Sequence, residues 1–387
     1  MPVTLGIERL LGERVELIRG RRVGLISNAS GISHDLTTNV EVLQRTPGVQ
    51  LVALFGPEHG LNGAAADGAA VQSGRDGRTG VPVFSLYGEV RKPTTEMLAG
   101  IDVLIYDMQC VGARFYTYIT TLLYAMQAAA EHALPFIVCD RPNPLGGEII
   151  EGPVLERGFE SFVGPGPLPI RYGLTLGELA TLYNEAWGVG CQLSVVSCAG
   201  WQRSMWFGDT GLPWVPPSPA MPWPETAIVY PGTCLVEGTN LSEGRGTALP
   251  FHQVGAPWMD GKRLASRLNK LALRGVRFRP VVFQPVAGKW SGQRCEGVQL
   301  HVTDRRAFRA VTAGLHLVSA AKALYPEQFA YRPGAENGGR LHIDLLMGTA
   351  QGREALDAGV DVDVLIESWS DDLRAFSQMA RMCRLYD

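Results

Sequence analysis

No stretch of the 387 residues carries an uninterrupted apolar run long enough to span a bilayer, so membrane insertion is not expected. The chain starts MPVTLGIERLLGERVELIRG, with acidic residues early and no long apolar signal core, which predicts a cytoplasmic protein. There is no excess of basic charge: 35 Lys and Arg face 38 Asp and Glu, a net charge of −3. Without a general positive field, nucleic acid is not an expected partner. The seven cysteines, at 110, 139, 191, 198, 234, 295 and 383, include no C-x-x-C pair, and read as reduced thiols in the core. The seven histidines lack zinc-site spacing such as H-E-x-x-H, so no metal is expected. After the first apolar run the chain reads SNASGISHD, in place of a G-x-G-x-x-G fingerprint or a Walker loop. Dinucleotide and nucleotide chemistry therefore lack their phosphate cradle. A G-x-S-x-G elbow is also missing, which argues against a serine hydrolase and leaves no cofactor implied.

What is present is a regular alternation. Short apolar runs at Arg22–Ser27, Gln50–Phe55, Val81–Leu86, Asp102–Asp107 and Pro135–Asp140 are apolar on both faces. Strands covered by helices on both sides have that character. Between them lie helix-like segments, Asp35–Gln44 and the stronger Tyr118–Ala133. A later helix is predicted from the T-L-G-E capping box at Thr175–Glu178 to about Trp187, followed by a strand at Gln192–Cys198. The pattern predicts an α/β fold, a Rossmann-like, doubly wound and mostly parallel sheet. The Pro- and Trp-rich LPWVPPSPAMPWP at 212–224 suits neither helix nor central strand, and marks a domain boundary. Residues 1–224 are then the sheet domain, and 225–387 a smaller α+β domain closing a cleft over it. Its predicted strands are Thr226–Tyr230, Val276–Phe283 and Glu296–Thr303; its predicted helices are Gly261–Leu273, Ala307–Leu324 and Val362–Leu385.

Ligands of open α/β sheets bind beyond the carboxyl ends of the strands. The residues just past the predicted strands are Asn28, then Glu58 and His59, Tyr87, Asp107 and Gln109, and lastly Asp140, Arg141 and Asn143. Each taken alone reads as a cap or loop hydrogen bond. Together they form a carboxylate- and arginine-rich edge, suited to acid–base hydrolysis and to glycoside cleavage in particular.

These blocks carry a resemblance. FGPEHG at 55–60, DMQCVGARFYTY at 107–118, DRPNPLGG at 140–147, PSPAMP at 217–222, YPGTCLVEGTNLSEGRGT at 230–247 and GAPW at 255–258 resemble the signature blocks of the exo-β-N-acetylmuramidase family, long catalogued as a domain of unknown function. The resemblance runs from about Val23 to the C-terminus. It implies a glycosidase that releases N-acetylmuramic acid from the non-reducing end of peptidoglycan fragments, with its active site between the two domains. A small saccharide, a muropeptide or a MurNAc–GlcNAc unit, is the implied partner. Two positions depart from the family pattern: Cys110 stands where D-x-Q-D-V-G has its second Asp, and Ala220 where P-S-P-N-M-P has Asn.

The resemblance assigns the catalytic carboxylate to Glu58, beside which His59 either orients Glu58 or hydrogen-bonds the substrate. The loop agrees, since Pro57 and Gly60 tighten the chain around a carboxyl placed to give a proton to a leaving oxygen. Candidate substrate contacts are Asn28, Asp107, Gln109, Arg114, Tyr116, Asp140, Arg141 and Asn143, with Asn240, Glu243 and Arg245 from the second domain. Arg245, bracketed by Gly244 and Gly246, is the first choice for reading the lactyl carboxylate that separates N-acetylmuramic acid from N-acetylglucosamine. The competing bland readings are an internal Asp140–Arg141 ion pair and a plain turn at 243–247. Competing functions are a sugar-binding protein that has lost catalysis, for which Cys110 and Ala220 speak, and a nucleotide-dependent enzyme, which the missing glycine fingerprint disfavours.

Overall fold

The computed structural model describes residues 2–66, 68–69, 72–334 and 339–387. Among them, seven strands form the larger sheet: β1 (Arg22–Ser27), β2 (Gln50–Gly56), β3 (Gly74–Arg75), β4 (Pro82–Ser85), β5 (Val103–Asp107), β6 (Pro135–Cys139) and β7 (Gln192–Val196). Their order is β3-β4-β2-β1-β5-β6-β7. All neighbours are parallel except the short edge pair of β3 with β4. β5 is buried along its whole length, as a V-L-I-Y-D run in the middle of a covered parallel sheet must be. The chain runs outward from β1 in one direction through β2 and in the other through β5. That reversal leaves a crevice at the carboxyl ends.

The smaller domain holds an antiparallel sheet of three strands, β8 (Gln253–Ala256), β9 (Val276–Phe283) and β10 (Cys295–Val302), in the order β8-β10-β9. Helix Gly261–Lys270 starts at Asp260, whose carboxylate accepts from the Lys262 and Arg263 amides, and it lies against β9 and β10. Helices Pro224–Thr233 and Ala310–Leu324 cross closely at Gly232 and Gly314. A Cβ on Gly232 would stand 1.8 Å from the Ala310 carbonyl oxygen, so the contact requires glycine. One apolar core continues from the sheet domain (Tyr106, Leu122, Leu179) into the smaller one (Val254, Leu315, Leu346), so the two pack as a continuous body.

Two expected elements differ in type or continuity. Thr226–Tyr230 is part of helix Pro224–Thr233 and not a strand. Pro224 sits at the first helical turn, where its missing N–H is tolerated, and Thr226, Ala227, Val229 and Tyr230 are all buried. A short run that is apolar all round has no periodicity to separate helix from strand. The single helix expected over Val362–Leu385 is broken into Val362–Glu367 and Ser370–Arg381, with Trp369 buried at the break. No helix among the described residues is long and apolar enough to cross a membrane.

Candidate active site

A cavity of about 230 Å³ opens beyond the carboxyl ends of β2, β4 and β5, walled by both domains. The sheet domain contributes Glu58 and His59, Tyr87, and the Phe115–Tyr118 turn that leads into helix Tyr118–Glu131. The Pro-rich segment adds Ser218 and Met221, and the smaller domain faces them with Tyr230, Glu237, Arg245, Phe251 and His342.

Glu58 follows β2 in a turn closed by the Gly60 amide on the Pro57 carbonyl at 2.9 Å. His59 takes the left-handed conformation there, with φ of 71°, a posture uncommon for a residue with a Cβ. Its Nδ1 lies 2.8 Å from the Ala65 carbonyl; since a carbonyl only accepts, Nδ1 carries the proton and the ring is fixed. The Glu58 carboxyl is buried, with 9% of the residue exposed. The Thr117 hydroxyl donates to Oε2 at 2.7 Å, and the Gly68 amide reaches Oε1 at 3.4 Å. Tyr116 and Tyr118 pack edge to face at 4.7 Å behind it, and burial pushes both phenols up, which keeps them neutral. On the opposite wall the Arg245 guanidinium lies 4.9 Å from the Phe251 ring centre and pairs with Glu237 at 2.8 Å. Glu243 stands 3.6 Å from Arg245 and 2.9 Å from Lys289, so the arginine is braced from below. His342, near Glu237 and Lys289, has its pKa pushed down by burial.

The sequence candidates divide. Glu58, His59, Tyr116 and Arg245 line the cavity together. The other candidates are engaged elsewhere. Asn28 donates to the Pro217 carbonyl at 3.1 Å, and Tyr118 donates to the same oxygen at 2.5 Å, so both pin the Pro-rich segment. Asp107 and Arg141 form a buried two-point pair, Nε to Oδ1 at 2.6 Å and Nη2 to Oδ2 at 3.0 Å. Gln109 donates to the Cys110 and Pro142 carbonyls. Asn143 links the Leu174 carbonyl to the Leu145 amide, and Asn240 does the same for Gln328 and Ala330. Asp140 accepts from the Tyr386 and Thr175 hydroxyls and the Gly177 amide; burial still pushes its pKa up to about 6. Arg114 is fully buried and donates to the Pro153, Leu168 and Leu346 carbonyls; burial pulls its pKa down to about 9. Glu243 supports Arg245 without lining the cavity.

Sequence reasoning passed over Thr117, Tyr118, Ser218 and Glu237, although all four lie inside the quoted blocks. Phe162 and His342 lie outside them and carry no local signal. Among the described residues, no group of three or more His, Cys, Asp or Glu is placed to hold a metal ion.

Comparison with known proteins decides the family. Residues 23–225 match the N-terminal family described as exo-β-N-acetylmuramidase NamZ, and residues 228–386 match its C-terminal counterpart. The chain belongs to the exo-β-N-acetylmuramidase NamZ family. A curated relative, the peptidoglycan β-N-acetylmuramidase NamZ of Bacillus subtilis (strain 168), is 46% identical over 384 residues, 99% of this chain and 91% of the relative. Two solved DUF1343 family proteins of Bacteroides fragilis NCTC 9343 cover 100% of the chain, and it covers 99% of each. They are 38% and 29% identical, with TM-scores of 0.91 and 0.79. Of the departures from the NamZ family pattern, Cys110 is buried off the cavity with its Sγ 3.4 Å from the Tyr172 hydroxyl. Ala220 packs against the core between the two lining residues Ser218 and Met221.

Proposed function

We propose that the chain is a peptidoglycan β-N-acetylmuramidase that releases N-acetylmuramic acid from the non-reducing end of muropeptides or MurNAc–GlcNAc saccharides, with Glu58 as its catalytic carboxylate. The observation that carries this reading is a buried, hydrogen-bonded carboxylate on the wall of a cavity shared by both domains, in a chain of this family. Glu237 also lines the cavity, but Arg245 engages it at 2.8 Å. Among the described residues one carboxylate of the cavity wall is then left for acid–base work, and the substrate's own acetamido group supplies the nucleophile. Glu58 gives its proton to the leaving oxygen as the acetamido oxygen bonds to the anomeric carbon and the glycosidic bond breaks. Water next attacks that carbon, Glu58 takes a proton from it, and the acetamido group is restored. General acid–base help of this kind contributes ~10²–10⁴-fold.

Arg245 reads the lactyl carboxylate. Glu237 and Phe251 hold its planar fork in the cavity wall, and a fork matches a carboxylate better than a lysine ammonium does. Such a substrate places the enzyme in cell-wall recycling. Incubation with MurNAc–GlcNAc and with GlcNAc–MurNAc tests the reading. Free N-acetylmuramic acid is expected from the first disaccharide only; binding without cleavage of either would leave a sugar-binding protein.

A further inference from the structure

We propose that Thr117 is a positioning residue for the reaction, holding Oε2 of Glu58 so that Oε1 faces the glycosidic oxygen; this rests on the role proposed above for Glu58. Among the described residues, four α-helices have a threonine at their N-cap: Thr38, Thr94, Thr117 and Thr175. In three of them the threonine oxygen accepts from an amide of the first turn: Thr38 from Glu41, Thr94 from Met97 and Thr175 from Glu178. That is the ordinary use of the residue at this position. Thr117 makes no such bond to helix Tyr118–Glu131. Its backbone is already helical, with φ of −55° and ψ of −15°, and its hydroxyl points away from its own helix to Glu58 at 2.7 Å.

Of these four threonine N-caps, the ordinary capping bond is therefore forgone at the one that lines the cavity. Local rules broken without local compensation mark functional sites. The geometry also has a chemical reason. A carboxyl at the end of a flexible side chain has two equivalent oxygens and rotates between them. A side-chain hydroxyl on the N-cap residue of a 14-residue helix, held at one oxygen, removes that freedom. The Gly68 amide at 3.4 Å is too long to do so by itself. Thr117 is itself 9% exposed, and it is anchored from the other side, where the Thr121 hydroxyl donates to the Thr117 carbonyl at 3.3 Å. It thus acts through Glu58, and its contribution belongs in the chemical step and not in binding of the sugar.

The test is Thr117→Val, which keeps the β-branched shape and loses the donor, beside Thr117→Ser, which keeps the donor. Both are assayed with a chromogenic N-acetylmuraminide, and thermal melts check that both fold. Loss of a hydrogen bond to a charged group corresponds to roughly 10- to 150-fold in rate. Thr117→Val is expected to lose that factor in kcat with KM changed less than about twofold, and Thr117→Ser to recover most of it. Valine turning over within about threefold of the wild type would overturn the proposal. So would a loss confined to KM, or one that serine fails to restore. Should the wild type itself release no sugar, the proposed activity fails, and should Glu58→Gln turn over like the wild type, the role given to Glu58 fails; both outcomes are separate from the one tested here.

Discussion

Asp107→Asn separates a structural ion pair from a substrate contact. Asp107 has no exposed surface, and both of its oxygens face the Arg141 guanidinium, at 2.6 and 3.0 Å; Asn39 adds a bond to Oδ2 at 3.0 Å. The amide removes the charge and turns an N–H toward a side chain that can only donate. Arg141, 4% exposed, then keeps the Ile32 carbonyl but no counter-charge. Removing one partner of a buried pair destabilises by about 3–5 kcal/mol. At about 2–4 °C per kcal/mol for a domain of ~150–250 residues, the melting temperature is expected to fall by roughly 6–20 °C. Activity at a temperature where the variant remains folded should keep KM for the muraminide within about twofold, because the pair does not line the cavity. Thermal melts and steady-state kinetics on one preparation decide it. A variant with unchanged melting temperature and a large rise in KM would refute the reasoning and return Asp107 to the substrate.

Other expectations follow from single groups. Arg245→Lys should lower kcat/KM for the muraminide by about 10- to 150-fold, the worth of one charged hydrogen bond, and change residual glucosaminide cleavage little; an equal loss on both substrates would contradict the specificity role. Asp140 has a folded pKa of about 6 against 3.8 for the free side chain, so the folded protein binds its proton first. The destabilisation is fully present above pH 6 and fades as pH falls toward 4, on the order of 3 kcal/mol. The stability of Asp140→Asn relative to wild type should therefore drop by that amount between pH 7.5 and pH 4, and a difference independent of pH would be inconsistent with it.

The sheet was legible in the sequence because its strands are continuous apolar runs bounded by polar residues. β1 has the expected limits, and β2, β5 and β6 differ from theirs by one residue at one end. The rule that polar residues past strand ends gather at the ligand led to Glu58 and His59, and both line the cavity. The same rule gathered Asp107, Asp140 and Arg141, which turn inward to join β5, β6 and the loops behind them. Residue type and position along a strand cannot tell these cases apart; the direction of the side chain does, and that is set by packing. Arg114 shows the limit most clearly. Its charge suggests a ligand, yet its partners are three backbone carbonyls distant in sequence, Pro153, Leu168 and Leu346. His342 reaches the cavity from the far end of the chain, at the start of helix His342–Met347, and nothing in the local sequence distinguishes it from the other histidines. The helix at Pro224–Thr233 was hidden for a different reason, the lack of a polar face from which a period can be read.

The central claim, that Glu58 carries the chemistry, is tested most directly by turnover of a chromogenic N-acetylmuraminide by the wild type and by Glu58→Gln, with melting temperatures measured alongside. Glutamine keeps the shape and the Thr117 bond and removes the transferable proton. The expected result is a folded variant whose kcat falls by ~10²–10⁴-fold with KM little changed. A folded Glu58→Gln within about threefold of wild type would contradict the account.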